Sequence, residues 1–182
     1  MSYHKIYLRA CTKKEDLDAI EALYNEAFPE CERKPFEVMT AAIGRGLDMC
    51  ALEENGKFVG LAITLMYGGV ALLDYFAILP HFRGNGIGSS ALRAIKENYP
   101  GYTVLIEIED PSAECDNREI RMRRQRFYLR CGMVRMPYKV NFYGTEMLVL
   151  TSGGRVSFDE HVAVYKNILG EAVARNISLI EE

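Results

Sequence analysis

The sequence predicts an α+β fold, an α/β sandwich in which a mixed, mostly antiparallel central sheet is flanked by helices. Three observations carry that prediction. Helical periodicity near the N-terminus gives way to three strand-like segments separated only by Asn55-Gly56 and Gly68-Gly69, the mark of consecutive antiparallel hairpins. A strand, a Gly-rich turn, a helix and a second apolar strand then follow between Val70 and Ile108, an order that implies one parallel pair. The composition suits a real core: 182 residues, 49% apolar and 26% charged, are too apolar for a disordered chain. No repeat, low-complexity stretch or linker marks a boundary, so residues 1–182 are expected to form a single domain.

Each element has its own signal. Lys5 to Ala10 has strand character, and Thr12-Lys-Lys-Glu15 reads as a capping box that opens a helix to about Phe28, with Leu17, Ile20, Leu23, Tyr24 and Ala27 on one side. Pro35 suits the first turn of a short second helix through Phe36, Met39 and Ile43, which Gly44 and Gly46 would end. Met49 to Glu53 and Lys57 to Leu65 flank Asn55-Gly56, the pair that most readily takes a type I′ turn, and Val70 to Ile78 returns after Gly68-Gly69. A helix from about Gly86 to Tyr99 and a strand from Tyr102 to about Ile108 come next. The rest reads as an Arg-rich helix (Arg118 to Arg130), two strands (Val134 to Tyr143 and Glu146 to Leu150) and a last helix from about Ser157 to Leu169.

Charge and cysteine usage exclude several classes. A net charge of −3 supplies no overall field toward nucleic acid or an anionic membrane, so an anionic partner has to be held locally. Five scattered cysteines without a C-x-x-C pair, and His4, His81 and His161 equally dispersed, suit neither a disulfide framework nor a metal site. No metal is expected. The N-terminus lacks the apolar core of a signal peptide, and the longest uncharged run, Phe58 to Leu73, is short of the ~20 residues that span a bilayer. A reducing, cytoplasmic setting is the expectation, with a homodimer left open.

Chemistry is concentrated in one turn. Between Ala77 and Leu92 a buried strand passes through Pro80-His-Phe-Arg83 into Gly84, Gly86 and Gly88 at the start of a helix. Small residues let the backbone approach an anion, and the N–H groups and dipole of the first helical turn suit a diphosphate. A Walker A loop fails, because Ser89-Ser90 follows Gly88 where Lys is needed. A dinucleotide fingerprint can be traced as Gly86-x-Gly88-x-x-Ala91 with Glu107 downstream, but four residues separate the strand from the first glycine and antiparallel hairpins precede it.

Read instead as Arg/Gln-x-x-Gly-x-Gly, Arg83-Gly84-Asn85-Gly86-Ile87-Gly88 resembles the acetyl-CoA loop of the GCN5-related N-acetyltransferase (GNAT) family, preceded as there by a hydrophobic-x-Pro strand end, Ile78-Leu79-Pro80. Phe127-Tyr128 followed by Gly132-Met133 supplies a second motif, and the element order matches over the chain. The resemblance implies that the stretch Phe76, Ala77 and Ile78 lies along the pantetheine arm and that Arg83, Gly84, Asn85, Gly86, Ile87, Gly88 and Ser89 cradle the pyrophosphate. It implies a direct transfer from acetyl-CoA to a primary amine of a small molecule or peptide, with Tyr128 as the general acid toward the leaving thiolate. Two other readings stay open, a non-catalytic acyl-CoA-binding module of the same fold and the dinucleotide-binding domain.

The chain departs from the family one and two turns before Tyr128, where Arg121 and Arg124 stand in place of an Asn and a small residue. Their spacing puts them on one stripe with Tyr128, so they reach either coenzyme phosphates or a nearby carboxylate. Arg123, Arg126 and Arg130 form a solvated face opposite an Ile120/Phe127/Cys131 stripe. An attacking amine has to lose a proton, and Glu107, Glu109 and Asp74 are the candidate bases, the first two on one face of a strand. The segment Phe28 to Pro35, which contains Glu30 and Glu32, corresponds to a loop that walls the acceptor site in the resembled family.

Overall fold

The computed structural model describes residues 4–180. The chain divides into two compact units, one comprising residues 1–65 and 73–100, the other residues 66–72 and 101–182.

In the first unit, β1 (Ile6–Ala10), β2 (Leu47–Glu54), β3 (Lys57–Tyr67) and β4 (Val70–Ile78) lie in the order β1-β2-β3-β4, the last two strands continuing into the second unit. Asn55 and Gly56 take φ of 51° and 74°, the two left-handed positions that the type I′ turn requires, and so fix the pairing of Glu54 with Lys57; a register shift between Leu52 and Glu53 then pairs Cys50 with Ala62. From Val59 to Leu65 the strand β3 is buried on both faces, as a central strand should be. Cys11 and Cys50 are buried free thiols. Helix α1 (Lys14–Ala27) packs Ile20, Leu23 and Tyr24 inward, at the i, i+3 and i+4 positions of one face. Its N-cap is Lys13, without a side-chain cap bond, so the expected Thr12 to Glu15 capping box does not form: Thr12 lies one residue too early and Glu15 falls in the second helical position. Helix α2 is shorter than expected, Phe36–Thr40 with Pro35 at its N-cap. Helix α3 (Ile87–Asn98) buries Ile87, Ala91, Leu92 and Ile95.

In the second unit the order is β4-β5-β7-β6-β8, with β5 (Thr103–Glu109), β6 (Val134–Phe142), β7 (Thr145–Thr151) and β8 (Ile177–Ile180). The expected parallel pair is β4 with β5, Val70 opposite Thr103, and the other pairings of the unit are antiparallel. A register shift in β6 between Arg135 and Lys139 contains Pro137, which has no N–H to donate to a ladder. Helix α4 (Arg118–Arg130) has the predicted bounds, but Ile120 is 51% exposed while Tyr128 is buried, so its inward face is the Tyr128 side and the proposed Ile120 stripe is not the packed one. Helix α5 (Phe158–Leu169) opens on a true capping box, Ser157 with Glu160. Two short elements not anticipated from the sequence complete the chain, α6 (Glu171–Ala174) and the edge strand β8.

Candidate functional site

The glycine turn belongs wholly to the first unit. Strand β4 ends at Ile78, a single 3-10 turn covers Pro80–Phe82, and Arg83 donates from Nε to the Ile78 carbonyl at 2.8 Å, folding the turn back on the strand end. Gly84 and Gly86 have φ of 89° and 86°. A Cβ on Gly84 would meet nothing within 4 Å, so glycine is demanded there by backbone conformation and not by crowding. Gly86 is the N-cap of α3 and carries no side chain to cap it; the first intrahelical bond returns from Ser90 N–H to the Gly86 carbonyl at 3.1 Å. The N–H groups of Ile87 and Gly88 precede that first intrahelical bond and residues 83–86 are exposed, an arrangement that suits an anion.

Phe76 and Asp74 are half-buried and alternate along β4 with buried Leu73, Tyr75 and Ala77. Asp74 is engaged by Lys34, whose ammonium sits 2.8 and 3.0 Å from its two carboxylate oxygens and 5.0 Å from the centre of the Tyr75 ring. Two tyrosines latch the segment that carries Lys34. Tyr24 Oη donates to the Lys34 carbonyl at 2.9 Å, Lys34 N–H donates to Tyr75 Oη at 3.0 Å, and Tyr75 Oη donates to the Glu32 carbonyl at 2.9 Å. Burial pushes the Tyr24 hydroxyl up to about 12 and that of Tyr75 higher, so both remain donors at any working pH. Glu30 and Glu32 are exposed.

The second unit holds the other predicted residues. Glu109, 7% exposed, is shared by two arginines: Arg121 Nη2 lies 2.7 Å from Oε1 and Arg124 Nη1 2.7 Å from Oε2. Arg121 also donates from Nε to Asn117 Oδ1 at 2.7 Å and from Nη1 to the Asp110 carbonyl at 3.1 Å. Of the two destinations open to these arginines, the described contacts show the carboxylate. Glu107 has a different environment: Tyr165 Oη donates to its Oε2 at 2.6 Å, and Nε2 of fully buried His161 lies 3.0 Å from its Oε1. Tyr138 Oη is 3.4 Å from His161 Nδ1. Asp110 is buried, which favours its neutral form, yet Lys139 at 2.8 Å and two bonds from Ser112 hold its carboxyl below the ordinary value. Tyr128 is 6% exposed, edge-on to Phe127 at 5.0 Å. Burial raises its hydroxyl well above the ordinary tyrosine value, against a smaller opposing pull from Arg124, so the group carries its proton at neutral pH.

Lys34, His161 and Tyr165 did not emerge from the sequence. They lie 40, 54 and 58 residues from the carboxylates they hold, and neither periodicity nor local spacing signals such pairings. Among the described residues, no group of three or more His, Cys, Asp or Glu is arranged to hold a metal ion, and no helix is long and apolar enough to cross a membrane.

The candidate site is thus set in a mixed sheet flanked by helices, with a glycine-led helix start following β4. The profile of the acetyltransferase (GNAT) family matches residues 17–133, and the chain belongs to that family. No curated protein matches it. Among solved structures, a GNAT-family chain from Bacteroides thetaiotaomicron is 17% identical with a TM-score of 0.74, the match covering 93% of this chain and 98% of that one. The ribosomal-protein-S18-alanine N-acetyltransferase from Escherichia coli is 18% identical over 84% of this chain and 99% of its own, with a TM-score of 0.59. A GNAT-family acetyltransferase from Elizabethkingia anophelis, solved with acetyl-CoA bound, is 15% identical over 83% and 98%, with a TM-score of 0.57. At these identities the likeness is one of fold.

Proposed function

We propose that this chain is a cytoplasmic N-acetyltransferase that works as one domain, passing the acetyl group of acetyl-CoA directly to a primary amine of a small molecule or peptide. The observation that carries the reading is the Gly84 to Ser89 turn, where two left-handed glycines open α3 without a side-chain cap. Family membership and the acetyl-CoA bound by the Elizabethkingia relative support the coenzyme assignment. In this reading residues 76–78 run beside the pantetheine arm, Arg83 and the N–H groups of the turn meet the pyrophosphate, and Tyr128 gives its proton to the departing thiolate. Arg121 and Arg124 serve the site by anchoring Glu109.

The amine has to shed a proton before or as it attacks. Asp74, Glu109 and Glu107 differ in what holds them: a lysine ammonium, two guanidiniums, and an imidazole with a phenol. Of the three, Glu107 alone is held by an imidazole and a phenol and not by a fixed cation, and we assign the base to it. No metal enters this chemistry. Thiol release from acetyl-CoA, assayed against polyamines, amino acids, aminoglycosides and short peptides, tests the proposal. Acceptor-dependent release supports it; calorimetric binding of NAD without binding of CoA overturns it in favour of the dinucleotide reading. Binding of acetyl-CoA without turnover on any amine leaves the non-catalytic module.

A further inference from the structure

The glycine turn is gripped from the first strand's approach by a residue that its motif does not include. His4 Nδ1 lies 2.5 Å from Oε1 of Glu54 at the end of β2, and its Nε2 lies 2.7 Å from the carbonyl oxygen of Asn85, between the two left-handed glycines. A carboxylate and a backbone carbonyl are both acceptors. Neutral imidazole has one N–H, so either tautomer sets a nitrogen lone pair against one of these oxygens. The imidazolium alone donates to both.

We propose that protonated His4 is a positioning residue for the coenzyme loop, holding the Asn85–Gly86 peptide in one orientation. The inference rests on reading the Gly84 to Ser89 turn as the coenzyme site. In a trans peptide the carbonyl and the N–H point in opposite directions, so fixing the Asn85 oxygen on His4 also fixes the direction of the Gly86 N–H. Gly86, with φ of 86°, has no Cβ to resist rotation of this peptide. Were it to flip, a carbonyl oxygen would replace an N–H donor toward the bound phosphates. The imidazolium also places a positive charge behind an anion site that Arg83 adjoins.

The surroundings set the sign of the pH dependence. A cavity of about 360 Å³ beside His4 is lined by Lys5 and Tyr7 from β1 and its approach, and by Ser90, Arg93 and Glu97 from α3. Lys5 and Arg93 disfavour a further cation, and Glu97 favours it. The hydrogen bond to Glu54 dominates, partial burial opposes it, and the Asn85 carbonyl adds to it, so the imidazole is held above its ordinary value. A raised group makes its contribution below its unfolded-state value, about 6.5, and loses it as pH rises through the folded-state value. The clamp is therefore closed in mild acid and opens as pH rises through the raised value.

Acetyl-CoA affinity measured by calorimetry between pH 6 and 9, together with NMR titration of the His4 ring in the coenzyme-free protein, tests this. Wild type is expected to lose affinity about three- to tenfold as pH rises, the scale of one charge-assisted hydrogen bond partly transmitted to the ligand. His4→Gln should show that loss already at pH 6 and a flatter profile, with KM for acetyl-CoA raised and kcat little changed. Glu54→Gln removes the carboxylate and should move the wild-type profile to lower pH without abolishing it, a shift that a purely structural role for His4 would not produce. Parallel pH profiles for wild type and His4→Gln, or a His4 ring that titrates at or below the ordinary value, overturn the clamp while the coenzyme assignment stands. Absence of acetyl-CoA binding by wild type at every pH overturns that assignment and this inference with it.

Discussion

Burial has opposite uses at two residues of the second unit. At Tyr128 it removes the phenolate from contention, so the hydroxyl is always a donor. Tyr128→Phe keeps the ring and its contact with Phe127, and is expected to lower kcat by about 100-fold while leaving acetyl-CoA affinity within about twofold, as loss of a general acid should. At Glu109 burial makes the carboxylate indispensable to its neighbours. Arg121 is only 12% exposed, and Glu109→Ala would leave its guanidinium without the anion beside it. A loss of about 3 kcal/mol, read from urea unfolding, is expected, the range found when one partner of a buried pair is removed. Glu107→Gln should act on rate instead: it retains an acceptor for Tyr165 but cannot take up a proton, and steady-state kinetics should show a kcat loss exceeding that of Asp74→Asn.

Elements were legible where local chemistry decides them. Asn55-Gly56 and Gly68-Gly69 specified two tight turns, and the Arg-rich run from Arg118 to Arg130, free of Gly and Pro, gave the bounds of α4. Legibility failed where the deciding partner is distant or the element is very short. Thr12 has the letters of a capping box, but the helix starts after Lys13; Ser157 and Glu160 form the box that the chain really uses. Ser157→Ala should therefore cost about 1 kcal/mol in chemical denaturation, whereas Thr12→Ala should cost little. Strand β8 has four residues, of which Ile177 alone is buried, and its pairing with β6 was invisible to periodicity. The inward face of α4 was misjudged because two ion pairs, from Arg121 and Arg124 to Glu109 of β5, join the helix to that strand, and an apolar stripe does not register them. In the candidate site the turn was readable from its glycines, and the grip on Asp74, Glu107 and Asn85 was not. In β3, Gly60 shows a further constraint: a Cβ there would fall 2.3 Å from the Ala77 carbonyl oxygen, so Gly60→Ala should lower the melting temperature sharply through backbone displacement in β4.

Over the whole molecule, titrating groups confine stability from both sides. Asp110 is held below its ordinary value, so its contribution is complete above the unfolded value near 3.9 and is lost as pH falls through the folded one. His4 is held above its ordinary value and loses its contribution as pH rises. Thermal melts should consequently show a plateau with an acid limb that Asp110→Asn flattens and an alkaline limb that His4→Gln flattens. The thiols extend the same logic to reactivity. Cys50, buried on β2, is pushed up to about 12 by burial, with the Asp48 carboxylate adding to it, and Cys11 is raised by burial as well. Alkylation proceeds through the thiolate, which these two positions scarcely populate. Among the described thiols, Cys115 and Cys131, both partly exposed, should take up iodoacetamide first, so a reporter dye can be installed beside either end of α4 while Cys11 and Cys50 serve as a silent gauge: their labelling would time the opening of the first unit.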